Sequence, residues 1–151
     1  MAPVHARQKD APLGKADFEA LAAFRYQLRR FLRFSEQATH ARGVTPLQYQ
    51  LMLQLKGFPG REWATVAELA ERLQAKHNGV VALLSRCESL GLVERRSSTT
   101  DLRQVEVHLT AQGNRAINQL AKLHRAELQT LQDLLDTLSE FKKGGDLAAA
   151  A

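Results

Sequence analysis

The stretch TVAELAERLQAKHNGVVALLSRCESLGLVERRSSTTDLRQVEVHLT, residues 65–110, most narrowly limits what this chain can fold into. Thr65 is followed three residues later by Glu68, a capping box in which hydroxyl and carboxylate each take up an amide left free at a helix start. Val66, Leu69, Ala70 and Leu73 then fall on one face of a short helix. The pattern breaks at Gln74-Ala75. A second helix, expected over about 76–90, carries Val80, Leu84, Cys87 and Leu90 as its buried stripe. Gly91 closes it, because glycine enters the left-handed conformation without steric cost. Leu92-Val93 and residues 105–109 have the apolar or alternating character of strands. Between them, residues 95–103 read as a polar loop with arginines at both ends. Two helices, a tight turn and a basic two-stranded ribbon predict a winged helix-turn-helix.

The flanking sequence reads as helix. Asp17 caps a first long helix expected over 17–39, with Phe18, Leu21, Ala22, Leu28, Phe31 and Leu32 on its apolar surface and Phe24 and Phe34 widening it. That is more aromatic surface than a solvent-facing helix needs, so it either fills an ordinary core or meets a second subunit. Arg25, Arg29, Arg30 and Arg33 lie partly on the opposite, solvated side. Thr45-Pro46-Leu47-Gln48 opens the next helix with a second capping box and a proline where a missing amide costs nothing. Gly57 and Pro59-Gly60 stop it. Residues 61–64 bridge to the winged unit, with Trp63 either packed under the loop or walling a pocket. Thr110 caps a helix carrying Ile117, Leu120, Ala121 and His124, and the apolar stripe continues through Leu128, Leu131, Leu134, Leu135, Leu138 and Phe141 to Gly144-Gly145. A bend is expected somewhere in 125–130. The resulting division is a mobile tail over 1–16, one domain over 17–143 and a frayed end over 144–151. Within the domain, 45–110 form the winged lobe, and 17–40 and 111–143 form candidate dimerisation helices, whose long apolar stripe a symmetry mate would cover.

Composition narrows the class. A chain of 151 residues suits one compact domain, and a formal charge of +5 favours an anionic partner. The single cysteine excludes an internal disulfide and fits a reducing cytoplasm. The longest clean apolar run, 80–84, falls far short of the roughly 20 residues that span a bilayer, and no signal peptide opens the chain. Neither a glycine-rich phosphate loop nor a serine-nucleophile motif is present, and the five histidines lack metal-ligand spacing. The reading is therefore not an enzyme, with no cofactor and no metal.

LAERL at 69–73, GLVERR at 91–96, Asp101-x-Arg103 and the closing Leu109-Thr110-x-x-Gly113 together resemble the multiple-antibiotic-resistance regulator (MarR) family. The likeness extends from about 17 to 143. It implies a mainly helical homodimer with a small β-wing, whose first and last helices form the dimer base. It also implies a DNA-binding transcriptional regulator, a repressor more than an activator, released by a small and often aromatic or phenolic ligand held between base and lobe. Two positions depart from the family pattern: Lys76 stands where a capping serine usually opens the recognition helix, and Ala82 where a polar or basic side chain is frequent.

Read residue by residue, the second helix of the lobe is the element for the major groove, where base edges present distinguishable donors and acceptors. Lys76, His77, Asn78 and Gly79 occupy its outward start, with Ala82 and Arg86 further along. Asn78 offers two hydrogen bonds to adenine, Lys76 and His77 reach guanine or phosphate, and Gly79 either allows close approach to the duplex or is simply a tolerated small residue. The resemblance places Arg103 in the minor groove with Asp101 orienting its neighbours. For Arg95 and Arg96, phosphate contact and internal salt bridging compete evenly. Ser35, His40, Tyr49 and Trp63 are candidate walls of the ligand site. The operator for such a dimer is an inverted repeat in double-stranded DNA, with half-site centres about 10 bp apart. Two alternatives stand beside this reading. One is a thiol sensor of oxidants through Cys87, which lies on the apolar stripe where the family usually has leucine. The other is a dimeric helical adaptor without sequence-specific DNA binding.

Overall fold

The computed structural model describes residues 12–148. Six helices and three short strands follow in order: α1 (Lys15–His40), α2 (Pro46–Lys56), β1 (Trp63–Ala64), α3 (Val66–Leu73), α4 (His77–Ser89), β2 (Val93–Ser97), β3 (Val105–Leu109), α5 (Ala111–Leu123) and α6 (Ala126–Ala148). The chain divides into two units: a lobe over 34–125, and the segments before and after it.

Both capping boxes set helix starts in the lobe. Thr45 accepts from the Gln48 amide at 3.2 Å while Gln48 returns a bond to Thr45 at 3.0 Å. Thr65 and Glu68 exchange the equivalent pair at 3.3 and 2.8 Å. Arg61 also pairs with the Glu68 carboxylate. Partial burial pushes the Glu68 pKa up, but the Thr65 amide and the Arg61 guanidinium together outweigh it and hold the group below its ordinary value. At the helix-turn-helix turn, Gln74 takes a left-handed φ of 49°, and its amide bonds back to the Ala70 and Glu71 carbonyls. Gly91 turns the chain out of α4 at φ 70°.

One core fills the lobe. Leu51, Met52 and Leu55 of α2 meet Leu69 of α3, Val80, Leu84 and Cys87 of α4, Val107 of β3, and Ile117 and Leu120 of α5. Leu83 completes the α4 stripe. Leu90, expected on that stripe, is instead 45 % exposed, because the helix ends there and its side chain turns outward. The antiparallel sheet has the order β1-β3-β2. It pairs Trp63 with His108 and Ala64 with Val107 on one side of β3, and runs from Val93 opposite Leu109 to Ser97 opposite Val105 on the other. The expected ribbon of two strands is thus a sheet of three, and Arg95 and Arg96 lie on β2 rather than in a loop. Gly113 sits where α5 meets the sheet: a Cβ there would stand 2.0 Å from the Leu92 carbonyl oxygen, so only glycine fits. Thr110 caps α5 and donates its backbone N–H to the same Leu92 carbonyl at 3.1 Å.

Outside the lobe, two expected boundaries shift. Helix α1 begins at Lys15, with the Asp17 carboxylate reaching back to the Gly14 amide at 2.8 Å. Helix α6 continues through Gly144-Gly145 to Ala148. The bend after α5 falls at His124-Arg125, the near edge of the expected range. Phe18, Leu21 and Leu32 of α1 are exposed, as are Leu128 (74 %), Leu131 and Leu135 of α6. Leu120, expected on the same exposed stripe, is buried in the lobe. Leu138 and Phe141 lie outside the described side chains, and the tail over 1–11 lies outside the described residues. No helix of the described residues is long and apolar enough to cross a membrane.

Candidate nucleic-acid interface

Helix α4 buries one side through Val80, Leu83, Leu84 and Cys87 and leaves its start open. Lys76 is the N-cap residue and its side chain makes no capping hydrogen bond, so the first-turn amides of α4 are left without a side-chain acceptor. Lys76, His77, Asn78, Gly79, Ala82 and Arg86 are all exposed. Among the described residues the Lys76, His77 and Asn78 side chains have no hydrogen-bond or ion-pair partner, whereas Arg86 returns a bond to the Ala82 carbonyl at 3.3 Å. A Cβ at Gly79 would meet nothing within 4 Å, so packing does not demand glycine there. The structure therefore brings all six helix candidates onto one open face.

The wing divides its arginines. Arg95 follows the inward side of β2 and meets α4, with Nε 2.8 Å from a Glu88 oxygen and the Ser85 hydroxyl accepting a longer bond of 3.4 Å. Arg96 points to the other side and pairs with Glu94, Nε to Oε1 at 2.9 Å. Internal pairing, one of the two readings left open for these residues, is thus present at both. At the tip, Asp101 accepts from the Arg103 amide at 3.0 Å through its side chain and from the Gln104 amide at 3.0 Å through its carbonyl. The buried Ser98 hydroxyl accepts from the Thr100 and Asp101 amides at 3.3 and 3.2 Å. Asp101 is thereby a turn-former, and the Arg103 guanidinium has no partner among the described residues.

The four residues considered for a ligand site do not share one environment. Ser35 and Tyr49 meet at the buried His124, a residue that the sequence offered only as part of an apolar stripe. The His124 Nδ1–H donates to the Leu120 carbonyl at 2.7 Å, which leaves Nε2 facing the Ser35 hydroxyl at 3.0 Å. The Tyr49 ring stacks on the imidazole at 4.4 Å and Phe34 meets it edge-on at 5.7 Å. Trp63 belongs to the sheet: it stacks on His108 at 6.3 Å and carries the Arg61 guanidinium 3.8 Å above its ring. His40 is exposed at the end of α1. No group of three potential metal-ligating side chains comes together among the described residues. Cys87 is fully buried, and burial pushes its thiol pKa from 9.0 up to about 11 against the weaker pull of Arg86.

A helix-turn-helix whose second helix has an exposed polar start, followed by a β-ribbon with an exposed arginine near its tip, defines a winged helix-turn-helix protein. Residues 42–104 match the family model of MarR proteins. Over that stretch, somewhat less than half of its length, the chain is similar to MarR family proteins. It is 29% identical over 120 residues to a Thauera aromatica protein named as a transcriptional regulatory protein for the hcr operon, an alignment covering 80% of this chain and 69% of that one. It is 31% identical over 78 residues to the HTH-type transcriptional repressor MdtR of Bacillus subtilis, covering 52% of this chain and 48% of that one. Among solved structures, AbsC, a MarR family transcriptional regulator from Streptomyces coelicolor, superposes with a TM-score of 0.71 at 22% identity, over 93% of this chain and 96% of the other.

Proposed function

We propose that this protein is a homodimeric transcriptional repressor that binds an inverted-repeat operator in double-stranded DNA and is released by a small aromatic or phenolic ligand. The observation that carries DNA binding is the pair of exposed basic prongs, Lys76–Asn78 at the start of α4 and Arg103 on the wing, whose side chains have no partner among the described residues. Open first-turn amides beside Lys76 suit a phosphate oxygen, since the helix start is the positive end of its dipole. Asn78 then faces base edges in the major groove while Arg103 enters the adjacent minor groove. Arg95 and Arg96 contribute positive potential at the wing base but are already paired with Glu88 and Glu94. Repression is favoured by the likeness to MdtR.

Dimerisation is supported by the leucines of α6 and the aromatic and aliphatic side chains of α1 left in water, which a second copy would cover. Ser35 and Tyr49, at the satisfied His124 cluster, are the preferred ligand-contacting residues; His40 and Trp63 are weaker candidates because their surroundings differ. A ligand acts only through its differential affinity for the DNA-competent and DNA-incompetent states. The cytoplasm is the compartment this role requires. The buried, high-pKa Cys87 argues against the thiol-sensor alternative, because the thiolate is the reactive form.

Selection from random duplexes, with sedimentation of the free protein, tests the proposal. A dimer at micromolar concentration that enriches an inverted repeat with half-sites about 10 bp apart is expected. A dimer that enriches no palindrome would instead be a helical adaptor, and a well-folded monomer would contradict the assembly.

A further inference from the structure

Leu102 stands at the tip of the wing with 88 % of its surface in water, the largest exposure among the large apolar side chains of the described residues. Several of its neighbours in the turn are engaged in hydrogen bonds that close it. Asp101 binds the Arg103 and Gln104 amides, the Ser98 hydroxyl takes the Thr100 and Asp101 amides, and the Ser98 amide donates to the Gln104 carbonyl at 3.1 Å. None of those bonds uses the Leu102 side chain, and no apolar group of the lobe covers it. A polar residue would serve the turn equally well in water, so the turn itself gives no reason for leucine. The residue that follows is Arg103, the one wing arginine whose guanidinium has no partner among the described residues. An apolar group held beside a free guanidinium, on a turn closed by its own hydrogen bonds, suits a surface that is itself both anionic and apolar.

We propose that Leu102 is a specificity-determining DNA contact, packing its isobutyl group against the deoxyribose wall of the minor groove beside Arg103. The inference rests on the proposed entry of the wing into that groove. The minor groove offers few distinguishing hydrogen-bond positions but lines its walls with sugar C–H groups, and apolar side chains are a recurrent means of engaging it. In the narrow groove of an A·T-rich segment both walls lie close together, and the side chain loses more water than in a wide one. Leu102 thus reads groove width by an apolar contact, alongside the electrostatic reading by Arg103. Being uncharged, it releases no counterion when it binds.

The test uses the full-length dimer, the operator obtained by selection, and a second duplex with G·C pairs placed under the wing. Leu102→Ala should bind the operator roughly tenfold more weakly, the loss that follows when about two buried methylene equivalents return to water. The slope of log affinity against log salt should stay at the wild-type value, and the preference for A·T pairs under the wing should shrink. Leu102→Met should keep most of the affinity. Melting temperatures of both variants should equal wild type, since the side chain is 88 % exposed and nothing among the described residues packs on it. Wild-type affinity in Leu102→Ala, or a loss accompanied by a changed salt slope, would overturn the proposal. If Arg103→Ala weakens binding while Leu102→Ala does not, only the apolar contact is wrong; if neither variant matters, the placement of the wing itself is wrong.

Discussion

Among the described residues, Lys76, His77 and Asn78 at the start of α4 have side chains without partners, whereas Arg95 and Arg96 at the base of the wing each face a glutamate, Glu88 and Glu94. Both regions are basic and both are exposed, yet only one has its donors available. The arginines at the wing base hold the ribbon to α4 and to itself, and the ribbon in turn presents Arg103. Positive charge alone therefore does not distinguish a cation that is available to a partner from one the fold already uses.

The comparison can be broken first by removing the footing of the wing. Gly113→Ala puts a methyl group 2.0 Å from the Leu92 carbonyl, which must force α5 from the sheet. A loss of about 3 kcal/mol or more is expected in chemical denaturation, at the severe end of overpacking. A change under about 1 kcal/mol would show that the junction yields easily. Next in size, Cys87→Ala should cost on the order of 1 kcal/mol as a core truncation on the buried side of α4, with DNA affinity unchanged with or without peroxide. Because the folded state raises this thiol's pKa, its contribution to stability is complete below pH 9.0 and falls as pH rises through about 11. Peroxide release of the wild type but not of the Ala variant would restore the sensor reading.

Smaller effects sharpen the contrast on the open face. Gly79→Ala should stabilise the protein by about 0.5 kcal/mol, since a glycine in the first turn of a helix gives way to alanine in open space. It should nevertheless weaken operator binding if close approach of α4 is what glycine provides; equal affinity would leave that position without a role in DNA. Arg95→Ala should lower stability by only about 0.5 kcal/mol, because the Glu88 pair is more than a third exposed and screened by solvent. Its salt slope should match wild type, while Lys76→Ala should reduce the slope by about one for each phosphate that the lysine neutralises. The opposite assignment of slopes would reverse the division between engaged and available cations.

Much of this arrangement was legible because it is encoded locally. Thr45 with Gln48, Thr65 with Glu68, Gly91 and Thr110 each fix a boundary through bonds to residues a few positions away, and all four stand where their spacing placed them. The exposed start of α4 followed from the apolar stripe on its other side. Strand β1 was missed because Trp63-Ala64 is too short to show alternation and is a strand only by pairing with β3. The first half of the ribbon, Arg95 to Ser97, reads as loop because both faces there are polar. The Ser35–His124 bond joins residues 89 positions apart and has no local signature. Leu102 did have one, a lone aliphatic residue within a polar run, but a hydrophobic residue in a loop invites a packing role that only the fold removes.

The most direct test of the account compares operator selection profiles for Arg103→Ala and Asn78→Ala with that of wild type. Arg103→Ala is predicted to weaken binding by about 1–3 kcal/mol per dimer arm and to flatten the A·T preference under the wing, leaving the half-site centre intact. Asn78→Ala is predicted to relax one or two positions inside the half-site and leave the flanks unchanged. Identical profiles for the two variants would contradict the claim that α4 and the wing read different parts of the operator.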